Sequence, residues 1–195
     1  SPARLGRMKP RHTPATLLTS TEPILHCCET WHVLAAGGRV LPNRPKQQET
    51  WDALAALRAE LLLPLAEWYG VVSLTYGFSG PELVKAIRQR AREGGWLPNI
   101  HPPSDQHAGY ELNRNGKRIC KRDGIAVDLR IPDHSSEDVV WRVVEALPFD
   151  RIYLYGPDKA FHLSWAPAEQ RVGQVVRMVP TDGGRLVPRM IVRGR

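Results

Sequence analysis

Hydrophobic residues recur along this chain with a helical period in some stretches and as short apolar runs in others. Over residues 50–69 apolar side chains return every three or four positions, which predicts a helix with one buried face. Thr50 is expected to cap this helix, and Pro64 should kink or divide it, because proline clashes with the preceding turn. The same spacing predicts further helices at residues 17–36, 81–93 and 135–147.

The short apolar runs predict the strands of a sheet. Residues 124–131 are almost continuously apolar, which is typical of a buried strand, and further strands are predicted at residues 71–75, 151–156 and 161–165. Residues 174–179 and 186–192 flank a Thr-Asp-Gly-Gly sequence, which indicates a C-terminal β-hairpin. These elements predict an α+β fold with a small, mainly antiparallel sheet packed by helices.

The length of 195 residues fits one domain with an extension at each end. Residues 1–16 contain four basic residues, three prolines and no acid, so they are expected to form a flexible basic arm. Residues 17–168 are expected to form the main domain, with residues 169–195 packed on it as a hairpin extension.

The charge and the cysteine content limit the classes of binding partner and the cellular compartment that the sequence favours. The net charge of +7 favours anionic partners such as nucleic acid, acidic lipid or an acidic wall polymer. The three cysteines have no zinc spacing and cannot all pair, which favours a reducing compartment. No apolar stretch approaches the roughly 20 residues that span a bilayer, and no signal-peptide core follows the basic start. A cytoplasmic location is therefore predicted, although removal of a leader would leave the same sequence.

An acidic residue interrupts the most apolar predicted strand. Asp128 lies within residues 124–131, and a buried carboxylate is costly unless it meets a cation, a metal or a hydrogen-bond donor. With His107 and His162, which lie 21 and 34 residues away, it would make a three-ligand zinc set that leaves the fourth position open to water or substrate. His101 is a competing ligand. In the alternative interpretation, Asp128 caps a turn and the histidines are ordinary polar residues.

The order of these residues resembles the zinc D-Ala-D-Ala carboxypeptidases. That superfamily includes D-Ala-D-Ala dipeptidases and L-Ala-D-Glu endopeptidases and shares its fold with the hedgehog signalling domain. The similarity lies in Asp105-Gln106-His107, in the run from Gly124 to Asp128, and in Phe161-His162-Leu163-Ser164, and it extends over roughly residues 20–168. The resemblance implies Zn²⁺ on one face of the sheet, held by His107, Asp128 and His162. It also implies hydrolysis of a D-amino-acid-containing peptide, such as a peptidoglycan stem peptide, by a metal-activated water.

Two departures from the family pattern affect catalytic positions. The family arginine that helps to bind the scissile carbonyl aligns with Ser79. The family's general base lies three residues before the last histidine, where this chain has Lys159. Asp158, one position earlier, is expected to take the proton of the water, although on a strand a shift of one residue reverses the direction of the side chain.

The third departure is an insertion between the first histidine and the aspartate, residues 110–123. Its Asn115-Gly116 pair predicts a type I′ turn and therefore a β-hairpin over residues 110–122. The insertion is basic, and Arg118 or Lys121 is expected to hold the terminal carboxylate of a substrate. Alternatively, the insertion is a charged ribbon that protects a sheet edge.

Two functions are consistent with these features. The first is a zinc-dependent metallopeptidase of the carboxypeptidase or dipeptidase type. The second is a non-catalytic module, stabilised by zinc, that binds nucleic acid or a protein partner through the basic arm and hairpins.

Overall fold

The computed structural model describes residues 13–14, 18–27, 41–93 and 101–192. Its strands are β1 Thr13–Pro14, β2 Val71–Tyr76, β3 Ile125–Arg130, β4 Arg151–Leu154, β5 Phe161–Trp165, β6 Gln174–Pro180 and β7 Leu186–Val192. They form one sheet in the order β1-β2-β3-β5-β4-β6-β7, in which every neighbouring pair is antiparallel except β4 and β6. The two residues of β1 lengthen one edge of what is otherwise a six-stranded sheet.

The helices are α1 Glu22–His26, α2 Gln48–Leu57, α3 Leu63–Tyr69, α4 Pro81–Arg92 and α5 Ser136–Ala146. The predicted interruption near Pro64 is confirmed, because a π-helical segment at Arg58–Leu62 separates α2 from α3. Of the helix predicted at residues 17–36, the structure describes α1, while residues 28–36 lie outside the described part. The basic arm lies outside it too, apart from β1.

One face of the sheet packs against helices and carries the hydrophobic core. Ile125, Val127 and Leu129 of β3 are fully buried in this core, as are Phe161 and Leu163 of β5. Because side chains alternate along a strand, the intervening residues of β3 and β5 project from the opposite face. The predicted α+β class and the mainly antiparallel sheet are therefore confirmed, and the sheet has a second face on which polar groups can collect.

The first turn of α2 is capped from the insertion and not by Thr50, so that prediction is wrong. The buried carboxylate of Glu111 accepts the backbone N–H groups of Lys46 at 3.0 Å and Gln47 at 3.1 Å. It also accepts the Thr50 hydroxyl at 3.0 Å. A carboxylate is favoured here because it satisfies open N–H groups and interacts with the helix dipole. Since Glu111 lies 61 residues from Thr50, local sequence did not indicate it.

The insertion forms a short hairpin-like loop with a different turn from the predicted one. A single bridge joins Leu112 to Arg118, and the Gly116 N–H donates to the Asn113 carbonyl at 3.0 Å. Gly116 has a φ of 71°, whereas Asn115 is not among the described residues with positive φ. A type I′ turn needs positive φ at both central positions, so the predicted turn type is wrong. The Asn113 side chain accepts the N–H groups of Asn115 and Lys117, which stabilises the observed turn.

The C-terminal hairpin predicted from the sequence is present as β6 and β7. Its turn is closed by the Gly184 N–H, which donates to the Thr181 carbonyl at 2.8 Å. Since β6 pairs with β4, the hairpin continues the main sheet. Among the described helices, none combines the length and apolar character needed to cross a membrane.

Candidate metal centre

The fold brings His107, Asp128 and His162 together on the open face of the sheet. Antiparallel pairing of β3 with β5 places Asp128 directly opposite His162. Asp128 Oδ1 lies 3.0 Å from His162 Nδ1 and 3.1 Å from His107 Nε2. One ligand atom from each residue falls within 4.8 Å of the others, so the group could hold a metal ion.

His107 is fixed by a one-turn 3₁₀ helix, Gln106–Ala108, that lies beside the end of β2. The carboxylate of Asp105 accepts the His107 backbone N–H at 3.2 Å, and the His107 carbonyl accepts the Ser79 N–H at 2.9 Å. The neighbouring Gln106 amide donates to the Asp123 carbonyl at 2.7 Å and to the Asp150 carboxylate at 2.8 Å. These bonds hold the loop against the sheet and direct the imidazole towards Asp128.

The hydrogen bonds of His107 constrain where its proton lies. Its Nδ1 is 2.9 Å from the Gly77 carbonyl oxygen, which can only accept, so Nδ1 carries a proton. In a neutral ring, Nε2 would then present a lone pair to Asp128 Oδ1 at 3.1 Å. Two acceptors at that distance repel unless a cation lies between them, either a second proton or a metal ion. A backbone carbonyl on the far nitrogen is also how metal-binding histidines are commonly oriented.

The electrostatics of Asp128 also favour a cation next to its carboxylate. Burial by itself would raise the pKa of this carboxyl group, but the charges and hydrogen bonds of His107 and His162 outweigh it and hold the pKa well below its usual range. The carboxylate side chain retains 29% of its exposure, against 7% for His107 and 11% for His162. The ionised oxygen is thus supported by two buried rings and open to the solvent side, where a cation can enter.

A cleft of about 580 Å³ opens above these three side chains. Its volume lies in the range of small-molecule and short-peptide sites. Polar walls come from His101, Ser104, Asp105 and Arg122, and apolar surface comes from the C-terminal hairpin. The remaining lining includes Thr75, Tyr76, Tyr153, Tyr155, Met178 and Pro188.

Two tyrosines contact the imidazoles, and a third, Tyr155, lines the cleft. The Tyr76 ring meets His107 edge to face at a centroid distance of 4.7 Å, and Tyr153 meets His162 at 5.3 Å. Burial, followed by the negative charge of Asp128, raises the pKa of the Tyr155 phenol well above its usual range. Its hydroxyl, like that of an ordinary tyrosine, is protonated near neutral pH and can donate a hydrogen bond inside the cleft.

The three residues predicted for catalysis do not line the cleft. Asp158 is exposed in the turn between β4 and β5 and does not line the cleft. Arg118 pairs with Asp123 at 2.6 Å and stacks on Tyr110 at 4.5 Å, and it does not line the cleft either. Lys121 is exposed and also lies outside it. His101 lines the cleft, but its Nδ1 lies 3.0 Å from the Ser104 hydroxyl and it is not part of the three-residue group.

Sequence reasoning missed several residues that the structure places in the cleft. The sequence marks Arg122 only as one of several basic residues in the insertion, and Tyr153 only as part of a predicted strand. For Tyr153 a usable signal exists: on adjacent antiparallel strands, the residue opposite a ligand lies on the same face, and Tyr153 pairs with His162. Met178 and Pro188 come from the C-terminal hairpin, which the resemblance did not include.

Searches of protein-family models, of curated proteins and of solved structures found no match to this chain.

Proposed function

We propose that this chain is a zinc-dependent hydrolase of the D-Ala-D-Ala carboxypeptidase type. The observation that carries the proposal is the convergence of two imidazole nitrogens and one carboxylate oxygen at the base of an open cleft. Two histidines and one carboxylate suit zinc and leave a coordination position for water or substrate. The order of the motif residues and the antiparallel sheet that carries Asp128 and His162 support a hedgehog/DD-peptidase type of fold.

The roles of the ligand residues follow from their contacts. His107 would bind through Nε2, because Nδ1 is held by the Gly77 carbonyl, and His162 would bind through Nδ1, which faces Asp128. Zinc in such sites polarises a peptide carbonyl and lowers the pKa of its bound water towards about 7.

The remaining cleft residues would orient the substrate and move protons. The Tyr155 hydroxyl lines the cleft and can donate to the carbonyl oxygen as negative charge develops there. Asp158 is the candidate general base. It lies in the turn that leads into β5, four residues before His162, so that turn has to bring the carboxylate over the cleft.

The metal assignment predicts about one zinc per chain, because three protein ligands make one site. Elemental analysis of the purified protein should show this stoichiometry, and His107→Ala should lose the metal. His101→Ala is the matched control, since His101 lines the same cleft outside the ligand group, and it should keep the zinc. Zinc that is absent from the wild type, or lost only in His101→Ala, would remove this assignment.

Catalysis is tested separately by the release of D-alanine from a peptide that ends in D-Ala-D-Ala. The zinc-loaded protein should release it, and Asp158→Ala should lose the activity. Turnover that survives Asp158→Ala assigns the base to another residue. A zinc-loaded wild type with no turnover of D-amino-acid peptides contradicts the peptidase proposal.

A second function is favoured by the charges outside the cleft. Exposed basic residues lie on the insertion, at Lys117 and Lys121, and on the C-terminal hairpin, at Arg185 and Arg189. A zinc-stabilised module that binds nucleic acid through these surfaces would lose affinity steeply as salt rises, because phosphate contacts release counterions. Binding of DNA or RNA that is absent at low salt, or independent of salt, counts against this function.

A further inference from the structure

Arg122 is the one lysine or arginine among the described residues that line the cleft. Its Nη1 donates to the Tyr153 hydroxyl at 2.9 Å. Within the described part of the chain no carboxylate forms an ion pair with it, whereas Arg118 of the same insertion is paired with Asp123. A half-buried guanidinium with a neutral partner keeps its charge and further N–H groups available for an anion.

The backbone around Arg122 is held from several directions. The Arg118 guanidinium donates to the Arg122 carbonyl at 2.7 Å, and the Lys121 N–H donates to the Pro103 carbonyl at 2.9 Å. Cys120, two residues earlier, is fully buried. On the other side, the Asp123 carbonyl accepts the Gln106 amide at 2.7 Å. The backbone that carries Arg122 is therefore held in place, and Arg122 differs in this from an arginine on a mobile surface loop.

Tyr153 sets the separation between Arg122 and the metal ligands. Its hydroxyl contacts the guanidinium at one end, and its ring meets the His162 ring at a centroid distance of 5.3 Å at the other. The guanidinium is thus one tyrosine side chain away from the ligand group. A peptide advances about 3.8 Å per residue between Cα atoms, so this gap matches one or two residues of substrate.

The charged side chains that line the cleft determine which ligand group can bind next to Arg122. Asp105 is the carboxylate in the lining other than Asp128; one of its oxygens accepts the His107 backbone N–H, and it keeps its negative charge, so Arg122 is the group in the lining that attracts an anion. A carboxylate placed between Tyr153 and Arg122 would receive charge-assisted hydrogen bonds, which are about twice as strong as neutral ones, and a planar guanidinium can bind it through two nitrogens.

We propose that Arg122, positioned by Tyr153, binds the free C-terminal carboxylate of the peptide substrate. The insertion at residues 110–123, a departure from the family pattern, would then supply the residue that selects peptides ending one or two residues beyond the metal ligands. The inference rests on the proposed peptidase function for its reaction, but the subsite can be tested by binding alone.

The experiment compares two probes that differ only at the terminus, N-acetyl-D-Ala-D-Ala and its C-terminal amide. Zinc-loaded wild-type protein should cleave the acid with a kcat/KM about 10- to 100-fold higher than that for the amide. The reason is that only the acid offers Arg122 a charged hydrogen-bond partner. Arg122→Ala should remove this preference by lowering kcat/KM for the acid, with zinc content unchanged. Tyr153→Phe should reduce the preference by a smaller factor, because the guanidinium loses its anchor but keeps its charge.

Lys117→Ala is the matched control, because Lys117 is an exposed cation on the same insertion and lies outside the cleft. It should retain the full preference for the acid. Equal cleavage of acid and amide by the wild type would overturn the subsite. So would a preference that survives Arg122→Ala, or one that is lost only in Lys121→Ala.

The dissociation constants of the same two probes, measured by calorimetry on the zinc-loaded protein, separate failure of the subsite from failure of the peptidase function. Tighter binding of the acid that is lost in Arg122→Ala supports the subsite even if neither probe is cleaved. Equal affinity for acid and amide overturns the subsite even if both are hydrolysed.

Discussion

Two carboxylates on neighbouring parts of the sheet have opposite surroundings. Asp150 is fully buried, and its oxygens accept hydrogen bonds from the Gln106 amide, the Arg151 guanidinium, the Ser164 hydroxyl and the Val172 backbone N–H. Asp128 is partly exposed, and within the described residues its side chain meets only the two imidazoles. The protein alone satisfies the first carboxylate, whereas the second faces a lone pair of His107 unless a cation is present.

This difference separates a carboxylate that the fold satisfies from one that could bind a metal ion. Asp150 joins the loop that carries His107 to the region where β4, β5 and β6 begin or end, so its role is to hold elements together. Asp128 is held by the register of β3 and β5 and leaves its charge available to the cleft. Burial alone would have ranked Asp150 as the more unusual residue, but its complete set of donors shows why it needs no ligand.

The largest expected effect on stability is that of removing the Asp150 carboxylate. Asp150→Ala should lower the free energy of unfolding by about 3–5 kcal/mol, because it leaves the Arg151 charge and other buried donors without their acceptor. Urea denaturation in the presence of a chelator measures this effect without the contribution of metal. Asp158→Ala, at an exposed carboxylate, is the control and should change stability by less than about 0.5 kcal/mol. A loss below about 1 kcal/mol for Asp150→Ala would contradict its structural role.

Zinc should stabilise the folded chain through Asp128 and not through Asp150. A ligand that binds only the folded state at 100 times its dissociation constant adds about 2.7 kcal/mol. Thermal melts with and without zinc should show this difference in the wild type and in Asp150→Asn, and the difference should vanish in Asp128→Asn. Equal stabilisation of all three proteins would mean that zinc binds elsewhere.

Gln106 contacts Asp150 and directly precedes the candidate ligand His107, so its removal should have an intermediate effect on stability and on zinc affinity. Gln106→Ala should cost about 1–3 kcal/mol of stability, since the Asp123 carbonyl and the Asp150 carboxylate each lose a buried donor. Zinc affinity should also fall, by about 10-fold, because the loop that orients His107 is loosened. A competitive chelator titration measures the affinity. An unchanged affinity in a destabilised variant would show that the loop is positioned without this side chain.

The smallest expected effect on stability is that of Asp128→Asn in metal-free protein. Asparagine has the same shape and the residue is partly exposed, so the free energy of unfolding should change by about 1 kcal/mol or less. The same substitution should abolish zinc binding. Zinc binding and the stability of the metal-free protein should therefore respond differently to it. A loss as large as that of Asp150→Ala would indicate that Asp128 has a structural role of the same kind.

Much of the fold could be predicted because the signals were local. The apolar run of β3 and the bounds of β5 followed from residue type, and the C-terminal hairpin followed from its turn sequence. The three candidate ligands could be predicted because Asp128 is unusual in an apolar strand and because their order resembles a zinc peptidase family. Local pattern alone would not have brought them together, since the strand order places β5 between β3 and β4.

The remaining features depend on contacts between distant segments. Glu111 caps α2 from the insertion, and no property of residues 46–50 predicts that. The basic residues of the insertion are similar in type, but Arg118 is occupied by Asp123 while Arg122 reaches Tyr153. Their roles therefore depend on packing in an irregular loop. In such a loop the side-chain directions do not repeat as they do in a helix or a strand, so the sequence does not predict them.

The most direct measurement is X-ray absorption spectroscopy at the zinc edge, on wild-type protein and on Asp128→Asn. A site held by His107, Asp128 and His162 should give one zinc per chain in the wild type, with nitrogen and oxygen ligands at about 2.0–2.2 Å, and no bound zinc in Asp128→Asn. Sulfur ligands at about 2.3 Å, or a zinc signal that persists in Asp128→Asn, would contradict a metal held by His107, Asp128 and His162.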